Sequence, residues 1–188
     1  MAKRLNKKAV AYFTVGIIFI FFAIALLSFN LLEDKRAGQS AEKILSKIEN
    51  IHKQDTASTM TIDGETYCGV VKIESLGIEL PVYHYWNYSN LKKAPCRYQG
   101  SIETDDMIIA GHNYKSHFYK LKDIELGAEV KFLSAQGTLT RYEVKEIKNL
   151  DGTAVTDMKA GDWDFSLFTC NRSGAQRVTV RCERMDEK

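Results

Sequence analysis

The chain has 188 residues, of which 45% are hydrophobic and 27% are charged. These proportions exclude an intrinsically disordered chain, and the length suffices for one globular domain with an attached segment. The net charge of +2, without a basic stripe interleaved with aromatic residues, argues against nucleic acid as a partner.

Residues 9–32 form an apolar run without a charged side chain. As a helix this run is about 36 Å long, enough to cross a hydrocarbon core of about 30 Å. A cleaved signal peptide is the alternative, with Ala23 and Ala25 as small residues for cleavage, but the run exceeds the usual signal core of roughly 7–15 residues. We therefore expect an uncleaved transmembrane anchor.

The charges on either side of the anchor predict its orientation. Residues 1–8 are a basic tail, whereas the four charges at positions 33–36 cancel. The positive-inside rule therefore predicts a cytoplasmic N-terminus and an extracellular C-terminal domain.

Residues 33–66 are predicted to form a juxtamembrane helix and a linker. Ile44, Leu45, Ile48 and Ile51 recur at helical spacing, and residues 55–65 are mostly polar. On a free stalk the apolar stripe would be an exposed patch, so we expect it to pack on the following domain.

From residue 67 onward the apolar period changes from 3.6 to 2, which is typical of short β-strands. Two strands with a turn near residues 75–77 are followed by a buried strand, DMIIAGH, and by a hairpin that turns at residues 136–137. The segments DFSLFTC and RVTVRCERM supply two more strands. About eight strands, with short helices near 89–93 and 117–121, predict an all-β barrel or sandwich.

Cys170 is the candidate nucleophile. It ends an apolar strand before the polar loop NRSGAQ, so its sulfur is expected near solvent. A nucleophilic cysteine requires a base or a cation nearby to populate the thiolate. Structural disulfides are the alternative, with Cys68, Cys96 and Cys182 as the remaining cysteines.

His112 is the best candidate base among the four histidines. The segment MIIAGH brings it to the end of a buried strand, and Gly111 permits a tight exit. His52 lies in the linker helix, His84 is interpreted as a packed residue in an aromatic stretch, and His117 as a helix cap or a surface residue.

Arg177 opens the strand after the loop, where antiparallel pairing would place it beside Cys170. There it can donate hydrogen bonds to a developing oxyanion, a contribution worth about 3–4 kcal/mol. Arg172 competes for this role because it is nearer in sequence, and a surface ion pair is the alternative role for Arg177.

The order of IIAGHNYKSHF and LFTCNRSGAQRVTV resembles the sortase family, the membrane-anchored cysteine transpeptidases of Gram-positive bacteria. The resemblance extends to SLGIELPVY and KLKDIELGAEVKF and covers about residues 67–184. It implies a closed eight-stranded sortase-type β-barrel with short helices, so that residues 67–188 form the catalytic domain behind the transmembrane and juxtamembrane helices.

The resemblance also implies roles for single residues. Cys170 matches the nucleophile that ends the seventh strand, His112 the general acid/base that ends the fourth, and Arg177 the arginine of the eighth that steadies substrate and oxyanion. Thr169 matches a position whose hydroxyl assists some sortases, and Asn113 is a further auxiliary candidate.

Sortases cleave a C-terminal signal such as Leu-Pro-x-Thr-Gly between Thr and Gly and pass the thioacyl product to an amine. The implied partners are surface proteins that bear the signal, an amine of the cell-wall precursor or of another protein, and the membrane. No cofactor is expected; calcium stays open as an alternative, although no acidic loop has the ligand spacing that would indicate it. An apolar groove would exclude water, with these candidate lining residues: Leu80, Pro81, Val82, Ile109 and Ala110.

Several departures from the family pattern leave the sortase class open. The loop between Cys170 and Arg177 is shorter than in many sortases, residues 148–164 lack an obvious long helix, and no aspartate–aromatic lid motif precedes the barrel. The alternatives are an L,D-transpeptidase-like enzyme, whose His-Gly pair before the cysteine is replaced here by Phe168 and Thr169, and a non-catalytic anchored β domain. The latter would be held by a Cys170–Cys182 or a Cys68–Cys96 disulfide.

Overall fold

The computed structural model describes residues 7–51, 59–159, 161–171 and 173–185. Most of the predicted basic tail, His52 with linker residues 53–58, and Arg172 lie outside these ranges. The described residues form one long helix and a β-domain.

The β-domain contains nine strands within the described ranges. They are β1 (Met60–Ile62), β2 (Glu65–Ile73), β3 (Ile78–Tyr83), β4 (Cys96–Gln99), β5 (Met107–Gly111), β6 (Glu129–Ser134), β7 (Leu139–Asp151), β8 (Phe165–Cys170) and β9 (Gln176–Arg184). The helices are α1 (Lys7–Ile51), α2 (Tyr88–Leu91) and α3 (Val155–Lys159), with 3₁₀ turns at Glu74–Leu76 and Tyr119–Asp123.

Strands β2–β9 close into an eight-stranded barrel, as predicted. The strand order is β1-β2-β3-β4-β5-β8-β9-β7-β6, and a further pairing of β2 with β6 joins the two ends. Strand β1 pairs with β2 as an added arm. Strand β1 lies in the segment that was predicted to be a polar linker, and β4 was not predicted. Their three or four residues are too few to show a period of two.

Helix α1 is continuous over 45 residues, so the predicted anchor and juxtamembrane helix are parts of one helix. Neither of the two prolines in the chain lies within it to break its hydrogen bonds. By length and composition its apolar part is able to cross a membrane.

The C-terminal part of α1 packs on the barrel, in agreement with the prediction from its apolar stripe. Ala37, Ala41 and Ile48 are buried, and Ile44 and Leu45 contact the apolar cluster beneath them. Removal of this apolar surface from water stabilises the contact by about 25 cal/mol per Å². The end of the helix is therefore part of the folded domain.

All four cysteines are free thiols, which contradicts the disulfide-held alternative. Cys170 pairs with Arg177, whereas Cys182 pairs with Phe165 at the other end of the β8–β9 ladder. Five residues of strand separate the two cysteines by about 17 Å, but a disulfide requires Cα atoms within about 7 Å. The Cys68 and Cys96 thiols donate separately, to the carbonyls of Val82 at 3.5 Å and Ala94 at 3.6 Å.

Candidate functional site

A groove with a cavity volume of about 270 Å³ opens where β5 and β8 end. Cys170, His112 and Arg177 all line it, so the barrel brings together the three residues that the sequence singled out. The rest of its lining is mostly apolar and comes from the segment after β3, from β4 and from the β7–β8 connection around α3.

Cys170 and Arg177 are held together by the ladder of β8 and β9, in which they form the last pair. Arg177 Nη1 donates a hydrogen bond to Cys170 Sγ at 3.3 Å and also approaches the Gly174 carbonyl at 3.5 Å. Cys170 is half-buried, so the sulfur is accessible from the groove. This bond places a positively charged donor beside the predicted nucleophile.

His112 follows β5, the parallel neighbour of β8. Gly111 pairs with Thr169, so His112 and Cys170 come next on strands about 4.8 Å apart. A side chain at position 111 would overlap the Phe118 ring, which explains why glycine stands before the histidine. The register therefore delivers an imidazole and a thiol to the same end of the barrel.

The imidazole of His112 is partly buried, and charges of both signs lie near it. Its ring stacks on Tyr114 at 4.7 Å, and its buried Nε2 has no hydrogen-bond partner among the described residues. Burial, and then the positive charge of Lys92, lower the pKa of His112, while Glu33 opposes them. This setting favours the neutral imidazole, the form that accepts a proton.

Three neighbours of the histidine were not predicted from the sequence: Tyr114, Glu33 and Lys92. The Tyr114 hydroxyl donates to Glu33 Oε2 at 3.2 Å, and Lys92 Nζ lies 3.4 Å from Glu33 Oε1. Glu33 precedes Tyr114 by 81 residues, and no local pattern predicts a contact over that separation.

Aromatic side chains form one wall of the groove. Trp86 meets Tyr98 edge to face at 5.9 Å, Tyr98 meets Phe168 in the same way at 5.4 Å, and Tyr88 lies 5.2 Å from Trp86. Such packing provides a rigid apolar surface. The aromatic stretch VYHYWNY contains two residues of this wall, but the sequence was interpreted there only as packing around His84.

His84 lies outside the groove. Its Nε2 is 2.9 Å from Arg97 Nη2, and its carbonyl accepts a bond from Arg97 Nε at 3.2 Å. His84 is thus a packed residue, as interpreted from the sequence. The interpretation of His117 was wrong, because its side chain is only 1% exposed and its ring lies 5.4 Å from that of Tyr114.

Of the five expected lining residues, only Ala110 reaches the groove. Side chains alternate along a strand, so the neighbour of Ala110, Ile109, points into the barrel core with Leu80 and Val82. Pro81 is buried on β3, away from the groove. Apolar character alone did not separate the two faces of these strands.

The two auxiliary candidates lie beside the groove and do not line it. Thr169 is buried on the opposite face of β8 from Cys170, and its hydroxyl has no partner among the described residues. Asn113 is half-buried next to His112. Within the described ranges, no group of three or more His, Cys, Asp or Glu side chains is arranged to hold a metal ion.

The family model of the sortase domain matches residues 71–185, more than half of the chain. No curated protein matches the sequence. Solved structures share its fold. The Clostridium perfringens sortase D5 transpeptidase is 19% identical, with 81% of this chain and 99% of that chain covered and a TM-score of 0.61.

Two further solved structures share the fold of this chain. Sortase C1 from Streptococcus suis is 21% identical, with 65% of this chain and 74% of that chain covered and a TM-score of 0.55. Listeria monocytogenes sortase A is 20% identical, with 64% and 88% covered and a TM-score of 0.57. At these identities the likeness supports the fold, and the family match over residues 71–185 shows that the chain belongs to the sortase family.

Proposed function

We propose that this sortase is a cysteine transpeptidase that cleaves a C-terminal LPxTG-like sorting signal and transfers the protein to an amine. The observation that carries the proposal is the 3.3 Å contact between Arg177 Nη1 and Cys170 Sγ, in a groove that His112 also lines. This combination supplies a nucleophile, a charge-stabilising donor and a proton carrier.

In the first half-reaction, the Cys170 thiolate attacks the carbonyl carbon of the scissile peptide bond. Arg177 donates to the oxyanion that forms, since its guanidinium lies beside the attacking sulfur. His112, neutral at rest, first takes the proton of the Cys170 thiol and then gives it to the departing amine as the C–N bond breaks. The products are a thioester on Cys170, a released peptide amine and a neutral His112.

In the second half-reaction, an amine acceptor attacks the thioester carbonyl. His112 takes the proton that the amine loses, and the C–S bond breaks to regenerate the Cys170 thiolate. Water would compete with the amine, and the aromatic wall of Trp86, Tyr98 and Phe168 supports exclusion of water from the groove.

We further propose that α1 anchors the enzyme with its N-terminus in the cytoplasm and the barrel outside the cell, without a cofactor. The basic residues before the apolar run support this orientation. The partners would be surface proteins that carry the signal and an amine of the cell wall or of a second protein.

The test is a ligation assay with the full chain in detergent, a library of quenched sorting-signal peptides and an amine nucleophile, read by mass spectrometry. A ligated peptide that is absent with Cys170→Ala would support the proposal and identify the signal. Hydrolysis without ligation, or ligation that persists in Cys170→Ala, would contradict it.

A further inference from the structure

Three exposed aromatic residues follow the end of β3, and the last of them is the first residue of α2. Tyr85, Trp86 and Tyr88 have exposed fractions of 64%, 39% and 71%. We call these three residues the aromatic loop. The rings of Trp86 and Tyr88 lie 5.2 Å apart, and Tyr85 precedes them in the same segment. Exposed aromatic residues grouped in this way mark an interaction surface more often than scattered single ones do.

The aromatic loop lies close to the point where α1 becomes charged. The apolar part of the helix ends at Leu32, and the next residue, Glu33, pairs with Lys92 at 3.4 Å. The Lys92 backbone N–H reaches the Tyr88 carbonyl, so these residues are one helical turn apart and share a face. One ion pair and one turn of helix therefore connect the aromatic loop to the end of the apolar run.

Further bonds fix this end of the barrel to α1. The Tyr114 hydroxyl donates to Glu33, and the Ser116 backbone N–H donates to Asp34 Oδ1 at 3.0 Å. The Ser116 hydroxyl donates to the same carboxylate at 2.9 Å. Because these contacts begin directly after the apolar run, the barrel cannot turn freely away from the surface that the helix crosses.

We propose that the aromatic loop inserts into the interfacial layer of the lipid bilayer and holds the mouth of the groove at the membrane surface. Tyr and Trp favour this layer, where an apolar ring and a polar edge are both accommodated. The neighbouring lysines, Lys92 and Lys93, are paired with Glu33 and Glu65, so the contact with lipid rests on the aromatic rings. The inference rests on the proposed membrane anchor.

Docking of the aromatic loop on the bilayer would place the entrance of the groove at the membrane surface. Trp86 and Tyr88 belong both to the aromatic loop and to the lining of the groove. A sorting signal or an amine acceptor that is itself held at the membrane would therefore reach Cys170 without leaving the interface.

The chain offers a matched pair of probes, because it contains only two tryptophans, Trp86 and Trp163. Trp163 precedes the first residue of β8, while Cys170 ends that strand. The five residue steps of strand from Phe165 to Cys170 therefore put Trp163 at the opposite end of β8, roughly 17 Å from Cys170. Trp163→Phe leaves Trp86 as the only tryptophan, which can be excited selectively above the absorption of the nine tyrosines, and Trp86→Phe leaves Trp163.

The experiment uses the full chain in phosphatidylcholine–phosphatidylglycerol vesicles whose acyl chains are brominated near the headgroup. We expect quenching of Trp86 several-fold greater than that of Trp163, and weaker quenching of Trp86 when Tyr85→Ser is added. Equal quenching of both tryptophans, or none of Trp86, would overturn the inference. A Trp86 whose fluorescence changes when a sorting peptide is added, but is not quenched by the brominated lipid, would also overturn it.

Flotation of the same vesicles tests the membrane anchor separately from the docking of the aromatic loop. Protein that does not float with the vesicles refutes the anchor and, with it, the lipid docking. Protein that floats while Trp86 stays unquenched refutes only the docking. The ligation assay in detergent reports on the transpeptidase activity independently of either result.

Discussion

Tyr114 connects the histidine of the groove to the helix that precedes the barrel. Its ring stacks on His112 at 4.7 Å, and its hydroxyl donates to Glu33 of α1 at 3.2 Å. Helix α1 therefore contributes a charge to the surroundings of the proposed acid/base group, in addition to its proposed role as an anchor.

Two substitutions on this contact should shift the pKa of His112 in opposite directions. Glu33→Gln removes a negative charge that raises the pKa, so the pKa should fall; Lys92→Gln removes a positive charge that lowers it, so the pKa should rise. An NMR titration of His112 in the detergent-solubilised full chain measures both, with Lys120→Gln as a control lysine that bonds the Leu76 carbonyl. Shifts in the same direction would contradict this electrostatic account.

Arg177→Lys should lower kcat by about 10²–10³-fold although the charge is kept. A lysine has no forked donor group to reach the sulfur and the oxyanion together. Steady-state ligation kinetics measure the effect, and Arg184→Lys serves as the control, since that arginine pairs with Asp105 at the other end of β9. A nearly unchanged rate for Arg177→Lys would transfer the role to Arg172.

Thr169→Val should leave activity within about threefold and should not lower the melting temperature, because it removes a buried hydroxyl without a partner among the described residues. Ser166→Ala is the matched contrast on the same strand. Its hydroxyl accepts a bond from Arg181 at 2.9 Å, and the loss should destabilise by about 1–3 kcal/mol. A large loss of activity in a stable Thr169→Val would show that the hydroxyl takes part in the reaction.

His117 should make the fold sensitive to acid. Burial lowers its pKa from the ordinary 6.5 to about 4, so between these pH values the unfolded chain takes up a proton that the folded chain does not. Stability should therefore be unaffected above pH 6.5 and fall by up to about 3 kcal/mol as the pH drops towards 4. His112 adds a change of the same sign.

Thermal unfolding of the detergent-solubilised chain at several pH values checks this prediction. His117→Gln should lose the part of the pH dependence that belongs to His117 and keep the remainder. A pH dependence identical to that of the unsubstituted chain would show that His117 is already paired or protonated in the folded state.

The barrel was predictable because its strands alternate and its motifs are local. MIIAGH and LFTCNRSGAQR each combine an apolar strand with the polar residue that ends it, so His112, Cys170 and Arg177 could be read from short segments. Their meeting in one groove followed from the family resemblance, which supplied the strand pairing that local periodicity lacks.

The surroundings of these residues were not predictable for a physical reason. Whether Val82 or Ala110 faces the groove depends on the register of the closed barrel, since a shift of one residue exchanges the two faces of a strand. The Glu33–Tyr114 contact depends on how a helix docks on the barrel. Neither property leaves a pattern within one segment.

The most direct test of the central claim is the intact mass of the full chain after mixing with the LPxTG-type peptide library in the absence of an amine. We predict a mass increase equal to the acyl fragment, located on Cys170, released by hydroxylamine as expected for a thioester, and absent in Cys170→Ala. An acyl adduct that persists in Cys170→Ala, or a Cys170 that reacts with iodoacetamide but with no peptide of the library, would contradict the account.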